Sequence, residues 1–283
     1  MALLRDIRLE AIRRLGQAGC DSPRLDVDLL LEEVSGLTPL NIMLQTDRPV
    51  SAKEQAGFQE LLRRRILREP ISQILGRKDF WSLTFAVNRH CLTPRPDSET
   101  LIEAALKSIP DRSKTLKILD LGTGSGCLIL SLLSELPHSR GVAVDISDKA
   151  LALARRNAES LDLQDRCEFI MSNWAEQLPV GEKFDIILCN PPYIAETCAG
   201  SLAPEVGDYE PHMALFAADD GYGEYERLAG ILPGLMTSGG NAFLEIGHEQ
   251  GQHVVEIFEK TPAKNIRIIQ DLGRRDRCVA MAF

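Results

Sequence analysis

Residues 116–136 read LKILDLGTGSGCLILSLLSEL, which is a short apolar run, a glycine-rich turn and a longer apolar run. The first run has the length of a buried strand and the second that of a helix, so the stretch predicts a strand, a turn and a helix. The alternation continues through the segments RGVAVDIS, DKALALARRNAESL, CEFIMSN, FDIILCNPP, GNAFLEIG, NIRIIQDL and RCVAMAF. Apolar strands that alternate with helices predict an α/β domain whose mainly parallel sheet is covered on both faces.

The first part of the chain, residues 1–75, has a helical period instead. RLDVDLLLEEVSG has the length and composition of an amphipathic helix. In SAKEQAGFQELLRRRILREP, the apolar residues Phe58, Leu62 and Ile66 recur at helical spacing after Ser51, a residue type that caps helix N-termini. We therefore expect a small helical bundle over residues 1–75.

Between the two parts lie residues 76–92, GRKDFWSLTFAVNRHCL, in which aromatic and β-branched residues alternate with polar ones. This pattern predicts a β-hairpin that joins two domains. The following TPRPDSETLIEAAL predicts a helix that starts near Pro96 with acidic residues in its first turn. The predicted domains are therefore residues 1–75, a hairpin linker over 76–92, and residues 93–283.

The chain is acidic, because its 283 residues carry a formal charge of -9 and the pI is near 5.2. Nucleic-acid binding depends largely on Lys and Arg that displace counterions, so direct binding of DNA or RNA is disfavoured. The arginine run in LLRRRILREP has two interpretations, a nucleic-acid contact or the solvated face of an amphipathic helix. The second interpretation is favoured, since charge patterns of this kind are common on exposed helices.

The seven cysteines form no CxxC pair, so neither a disulfide framework nor a zinc ribbon is indicated. His248 and His253 in GHEQGQH resemble a zinc-protease helix, but their spacing of five residues keeps the imidazoles off a common helix face. No metal is predicted. No apolar run approaches the roughly 18 residues that span a bilayer, and no signal-peptide pattern opens the chain. We expect a cytoplasmic protein with no membrane partner.

The turn DLGTGSGC, residues 120–127, carries Gly122, Thr123, Gly124, Ser125 and Gly126 between strand and helix. Its G-x-G-x-G spacing matches neither the dinucleotide fingerprint nor the P-loop. Asp145 ends the next strand, where an acidic side chain can accept hydrogen bonds from both hydroxyls of a ribose. Glycines alone fit an ordinary turn and Asp145 alone fits a helix start, but together they favour a nucleoside ligand without pyrophosphate. S-adenosylmethionine is the candidate.

The strand-like run FDIILCNPPYIAE ends in Asn190, Pro191, Pro192 and Tyr193. A carboxamide or exocyclic amine is a poor nucleophile, so an enzyme that methylates one must orient hydrogen-bond acceptors on its protons. The Asn190 side-chain oxygen and the Pro191 carbonyl are such acceptors, and Tyr193 offers a flat wall for a planar group. The alternative, a strand that merely stops at prolines, does not require Asn or Tyr. The motif therefore predicts methyl transfer to a planar amino group.

The motifs DLGTGSG, VDIS, NPPYI, EPHMALFAADDG, FLEIGHEQG and DLGRRDR, together with GRKDFWSLTFAVNRHCLTPRPDSE before them, resemble the HemK/PrmC family of peptide chain release factor N(5)-glutamine methyltransferases. The resemblance is specific from about Gly76 onward. It implies a Rossmann-like class I methyltransferase domain with a seven-stranded sheet, and an N-terminal bundle that binds release factors. The implied reaction methylates the glutamine of their Gly-Gly-Gln motif and leaves S-adenosylhomocysteine.

Transferred by position, the resemblance implies that the loop Gly122–Gly126 holds the methionine part of the cofactor. Asp145 would bind the ribose and Trp174 would lie on the adenine side. Asn190 to Tyr193 would hold the substrate glutamine, with Asn190 also beside the cofactor and Pro192 in the substrate wall. Asn173 is a departure, because the family usually has an acid there.

Two other functions compete with this one. The first is an amino-group methyltransferase that acts on DNA adenine or ribosomal RNA, since the same Asn-Pro-Pro-Tyr logic serves any planar amine. The acidic charge balance and the lack of a separate basic domain disfavour it. The second is a cofactor-binding adaptor without catalysis, which would have no use for the NPPY motif.

Overall fold

A computed structural model describes residues 2–283 of the chain. These residues form two compact units, which are described in turn. The first contains the residues up to Gly76 together with Ala203–Tyr209, and the second contains Arg77–Leu202 and Glu210–Phe283. No helix within residues 2–283 has the length and apolar character needed to cross a membrane.

The first unit is helical. Its helices are α1 (Leu4–Gln17), α2 (Pro23–Ser35), α3 (Pro39–Leu44), α4 (Ala52–Ile66), α5 (Ile71–Leu75) and, from the distant segment, α9 (Pro204–Gly207). Helix α4 begins with a capping box in which Ser51 and Glu54 bind each other's backbone N–H. Phe58 and Leu62 are fully buried in the core and Ile66 is half-buried, so the predicted apolar stripe of this helix is confirmed.

The prediction that the arginine run of α4 forms a solvated face is wrong at one residue, Arg65. Arg65 is buried, and its Nε donates to the carboxylate of Asp26 at 2.7 Å. Arg63 and Arg64 instead pair with Glu60 and Glu69. A buried guanidinium needs a carboxylate partner, and Asp26 supplies it from the neighbouring helix α2.

The segment Ala203–Tyr209 belongs to the helical unit although the sequence places it within residues 93–283. Both carboxylate oxygens of Glu205 accept bonds from Arg68, at 2.6 Å each, and Oε1 also accepts from Arg65 at 2.9 Å. The Tyr209 hydroxyl donates to the backbone oxygen of Leu67 at 2.6 Å. Charge-assisted bonds of this kind are about twice as strong as neutral ones, so Glu205 is the main attachment of the segment.

We expect Glu205→Gln to destabilise the helical unit by about 1.5–3 kcal/mol at neutral pH, the range for hydrogen bonds to charged groups. Burial raises the pKa of Glu205, but bonds from Arg68 and Arg65 outweigh it and lower the pKa to about 2. A depressed pKa means that this stability is complete above the carboxyl's ordinary value, 4.5, and is lost as the pH falls toward 2. Denaturant titrations from neutral pH downward measure the difference, which should shrink below pH 4.5.

The control for this prediction is Glu60→Gln. Glu60 pairs with Arg63 at 2.7 Å on the same helix, but both side chains are more than half exposed. Exposed pairs contribute about 0–1 kcal/mol, so this variant should be nearly as stable as the wild type. Equal losses in the two variants would contradict the role of Glu205.

The second unit contains one large seven-stranded sheet with helices on both faces, and two smaller sheets of two strands each. Its strands are β1 (Arg77–Phe80), β2 (Leu83–Ala86), β3 (Lys117–Leu121), β4 (Arg140–Asp145), β5 (Cys167–Met171), β6 (Phe184–Cys189), β7 (Ile194–Ala195), β8 (Phe216–Ala217), β9 (Met236–Glu245), β10 (Lys264–Gln270) and β11 (Asp276–Ala282). Its helices are α6 (Glu99–Lys107), α7 (Cys127–Glu135), α8 (Asp148–Ser160), α10 (His212–Leu215), α11 (Ala218–Gly221), α12 (Gly223–Leu235) and α13 (Gly251–Phe258). Short 3-10 helices cover Pro96–Ser98, Gln164–Arg166 and Glu196–Ser201.

The large sheet has the strand order β10-β11-β9-β6-β3-β4-β5. Strands β9, β6, β3, β4 and β5 are parallel neighbours, and β11 pairs antiparallel with β9 and β10. Apolar side chains of the sheet are buried on both faces, in two separate clusters under the helices. The predicted α/β class with a mainly parallel sheet is confirmed.

Strands β1 and β2 form the expected antiparallel hairpin. Phe80 and Phe85 of the hairpin are buried in the same cluster as Leu101 and Ile102 of α6. The hairpin therefore packs into the core of the second unit and is part of that unit.

Candidate active site

The strand register places the predicted residues at one edge of the sheet. Leu121 of β3 is paired with Cys189 of β6, and Cys189 is paired with Leu244 of β9. The residues that follow these three are therefore neighbours at the carboxyl edge, namely Gly122, Asn190 and Glu245. Ligands of open α/β sheets bind outside this edge.

The turn after β3 needs its glycines. Gly122, Gly124 and Gly126 have φ values of 73°, 57° and 82°, a region that residues with a side chain rarely adopt. A Cβ on Gly126 would also lie 3.0 Å from Leu130 Cδ1 and 3.3 Å from Ala154 Cβ. The turn thus keeps its backbone exposed to the edge while α7 and α8 pack closely behind it.

Asp145 fixes this turn. Its Oδ2 accepts from the backbone N–H of Gly124 at 2.9 Å, and its Oδ1 accepts from that of Ser147 at 2.8 Å. Burial raises the pKa of Asp145, and these backbone bonds oppose the rise. A carboxylate has about four acceptor positions, so Asp145 can hold the turn and still accept from a ligand.

A cavity of about 360 Å³ lies over the edge, within the range of small-molecule sites. The predicted residues that line it are Gly122, Thr123, Gly124, Ser125, Asp145, Trp174, Asn190 and Pro192. Pro191 and Tyr193 are not among the described residues that line it, and Gly126 is likewise set back from it. The other walls come from residues 90–95 and from the segment 211–216.

Trp174 forms one wall of the cavity. Its ring lies over Gly122, where an added Cβ would be 3.6 Å from the ring atom Cζ3. Its Nε1–H donates to Glu224 Oε2 at 2.8 Å, which fixes the orientation of the ring. Asn173 also lines the cavity, but its amide nitrogen donates to Glu176 at 2.8 Å. The aromatic wall therefore belongs to Trp174.

Asn190 presents a free carboxamide to the cavity. It follows the central strand β6, and its side chain takes part in no hydrogen bond among residues 2–283. Side-chain amides that line pockets without an internal partner are available to a ligand.

The backbone of the NPPY segment is fixed at the Tyr193 carbonyl by a hydrogen bond and by close packing. Gln250 donates its side-chain Nε2–H to the Tyr193 carbonyl at 3.0 Å, and its Oε1 accepts from the Gly247 N–H at 2.9 Å. Gly221, with φ of 90°, packs against the same carbonyl, since a Cβ there would lie 2.3 Å from the Tyr193 oxygen. Gln250 lies in the segment GHEQG, so that segment holds the NPPY backbone.

We expect Gly221→Ala to reduce activity about tenfold or more, because 1 Å shifts at reacting groups can cost about 100-fold. The added methyl group must displace the Tyr193 backbone, and the positive φ adds strain of about 1–3 kcal/mol to folding. Gly239→Ala is the matched control, since Gly239 has φ of 84° with no atom within 4 Å of an added Cβ. Single-turnover rates of both variants decide this, and a normal rate for Gly221→Ala would refute the close-packing role.

Two further elements of the site were not identified from the sequence. Asn157 is fully buried in α8, where its amide donates to the Ser125 and Ala86 carbonyls at 2.8 and 3.1 Å. Glu210 accepts from Arg95 at 2.7 Å and from the Thr93 N–H at 3.3 Å, and so joins two walls of the cavity. The signal for Asn157 was an amide within the apolar stripe of ALALARRNAESL, whereas Glu210 opens the motif EPHMALFAADDG, to whose residues no role was assigned from the sequence.

Buried polar atoms without a partner among residues 2–283 occur in the walls of the cavity and in the strands next to it. They are the hydroxyls of Thr93, Ser98 and Ser125 and one carboxylate oxygen each of Asp120 and Glu245. The first three residues line the cavity. Buried polar groups are nearly always satisfied in folded proteins, so this concentration indicates a site built for a polar ligand.

The chain is similar to known methyltransferases in sequence and in structure. The family model described as PrmC N-terminal domain matches residues 6–76, and the model described as Methyltransferase small domain matches residues 97–203. The release factor glutamine methyltransferase of Caulobacter vibrioides is 39% identical over 94% of this chain and 91% of its own length. That of Cereibacter sphaeroides is 39% identical over 95% of each chain. A methyltransferase structure from Pyrococcus furiosus, 17% identical, has the same fold with a TM-score of 0.53 over 72% of this chain and 90% of its own.

Proposed function

The chain belongs to the family of release factor glutamine methyltransferases, and from that membership we propose the following reaction. The enzyme transfers a methyl group from S-adenosylmethionine to the side-chain amide nitrogen of the glutamine in the Gly-Gly-Gln motif of peptide chain release factors. The reaction takes place in the cytoplasm, where release factors act.

The free carboxamide of Asn190 carries this proposal. It lies at the carboxyl edge between the glycine turn of β3 and Glu245 of β9, and no neighbour occupies its oxygen. An amide nitrogen donates its lone pair into its own carbonyl, so its protons must be held by fixed acceptors while the nitrogen attacks. The Asn190 oxygen is one such acceptor, and we assign the Pro191 carbonyl as the second, although Pro191 is not among the described residues that line the cavity. Fixed acceptors need no reorganisation during the reaction.

The residues present fit the cofactor. The cavity of about 360 Å³ has an exposed glycine backbone, a carboxylate at Asp145 and an aromatic wall at Trp174. We assign the loop Gly122–Gly126 to the methionine part, Asp145 to the ribose and Trp174 to the adenine side. When bound, S-adenosylmethionine supplies a methyl group activated by its sulfonium charge.

The test is methyl transfer from labelled S-adenosylmethionine to a purified release factor. Label is expected on the glutamine of the Gly-Gly-Gln motif, and a release factor with that glutamine changed to alanine is the matched control. Label in an adenine-containing oligonucleotide, with none in the release factor, would instead support the nucleic-acid methyltransferase.

We further propose that the helical unit recognises the release factor. Helix α3 exposes Leu40, Met43 and Leu44, each with more than 60% of its surface accessible. Clustered exposed apolar residues are typical of protein-binding surfaces. The match of residues 6–76 to the model of the PrmC N-terminal domain supports a family-specific role for the helical unit.

Replacing Leu40 and Met43 with serine is expected to raise KM for a folded release factor about tenfold, the size of one interface anchor. The rate with a short Gly-Gly-Gln peptide should stay unchanged, because such a peptide is too short to reach a second surface. Leu272→Ser, at an exposed apolar residue of the second unit, is the control. An equal KM for the release factor in wild type and variant would refute the assignment to α3.

A further inference from the structure

Glu245 is a buried carboxylate at the end of β9, directly behind the NPPY segment. It is 2% exposed, and the register places it next to Asn190. Its Oε1 accepts from the Tyr193 hydroxyl at 3.4 Å, whereas its Oε2 is buried without a partner among residues 2–283. Burying a carboxylate that lacks a full set of hydrogen bonds costs free energy of folding, so its presence here indicates a functional role.

Tyr193 is held at both ends. Gln250 and Gly221 fix its carbonyl, as described above, while Glu245 holds its hydroxyl. The residues between these two contacts and Asn190 are prolines, which have a fixed φ. The bond between the Tyr193 hydroxyl and Glu245 therefore helps to fix the position of the segment that carries the Asn190 and Pro191 acceptors.

We propose that Glu245 is a positioning residue of the methyl transfer, which acts through the Tyr193 hydroxyl and changes the ring's placement when it ionises. This inference rests on the proposed function, because it assigns the NPPY segment to catalysis. It assigns no bond-making step to Glu245.

The surroundings of Glu245 bring its ionisation near neutral pH, and burial likewise raises the pKa of Asp120 on β3 to about 7. Burial raises the pKa of Glu245 to about 7; Ser98, Arg277 and Tyr193 oppose the rise, and Asp97 adds to it. The other titratable groups that face Glu245 are Tyr225 of α12, Cys127 of α7, Cys189 of β6 and Cys278 of β11. Burial raises the pKa of each of these above its ordinary value, so none of them gains charge near pH 7.

The kinetic test is a double-mutant cycle. Glu245→Gln and Tyr193→Phe are each expected to slow single-turnover transfer about fivefold to tenfold, the size of one hydrogen bond, with unchanged cofactor affinity. If Glu245 acts through Tyr193, the double variant is no slower than either single one. Tyr225→Phe is the matched control, because its buried hydroxyl donates to the backbone oxygen of Glu245 at 2.9 Å and not to the carboxylate. Additive losses in the double variant would overturn the inference.

A second measurement is independent of activity. The chain has four tyrosines, so ring-labelled tyrosine gives four sets of NMR signals, of which Tyr193→Phe identifies one. The Tyr193 ring signal is expected to shift with a midpoint near pH 7 in the wild type and not in Glu245→Gln. A Tyr193 ring signal that does not shift with pH would overturn the inference even if the enzyme is active. A wild type that fails to methylate release factors would instead contradict the proposed function, and the NMR titration would still decide the coupling.

Discussion

Asn190→Ala is expected to slow single-turnover methyl transfer by about 100-fold to 1,000-fold, comparable to deleting one oxyanion-hole donor. The structure leaves the Asn190 carboxamide free in the cavity, so the variant removes an acceptor for the substrate and no internal hydrogen bond. Folding stability should therefore change little, and cofactor affinity should change far less than the rate.

The measurement is transfer to a purified release factor at saturating cofactor, with cofactor affinity determined separately by calorimetry. Asn241→Ala is the control, because Asn241 lies on β9 and its amide contacts only the backbone of Gly239. Near-normal transfer by Asn190→Ala would remove the catalytic interpretation of the NPPY segment.

Asp145→Ala is expected to weaken cofactor binding by about 1.5–3 kcal/mol, or roughly 10-fold to 150-fold, the range for hydrogen bonds to a charged group. The carboxylate also accepts the N–H groups of Gly124 and Ser147. The variant therefore loses a ligand contact and a fixed turn together. Calorimetry with S-adenosylmethionine measures the sum, and an affinity equal to that of the wild type would remove the ribose assignment.

Asn157→Ala separates the two contributions. Asn157 bonds to the Ser125 carbonyl from behind the turn and does not line the cavity. It is fully buried, so its loss should lower the free energy of unfolding by about 1–3 kcal/mol, the cost of leaving buried groups unsatisfied. If this variant loses as much cofactor affinity as Asp145→Ala, Asp145 acts only by holding the turn.

The local sequence determined the class of the fold and the place of the main site residues. The apolar runs are continuous because both faces of the sheet are buried, and a turn with glycine at 122, 124 and 126 is required by its positive φ values. Since parallel strands end at one edge, Asp145 at the end of β4 and Asn190 directly after β6 lie on the same side of the sheet. The cavity is lined by both.

Only the tertiary structure decided which side chains hold that site. Glu245 lies 52 residues from Tyr193, Gln250 lies 57 residues from it, and Asn157 lies 71 residues from Ala86. Likewise, Glu205 reaches Arg68 across 137 residues, which removes its segment from the domain that the sequence assigned. Periodicity records only whether a residue faces the core. The partner of a buried amide or carboxylate depends on the strand order β10-β11-β9-β6-β3-β4-β5, which brings distant segments together by packing.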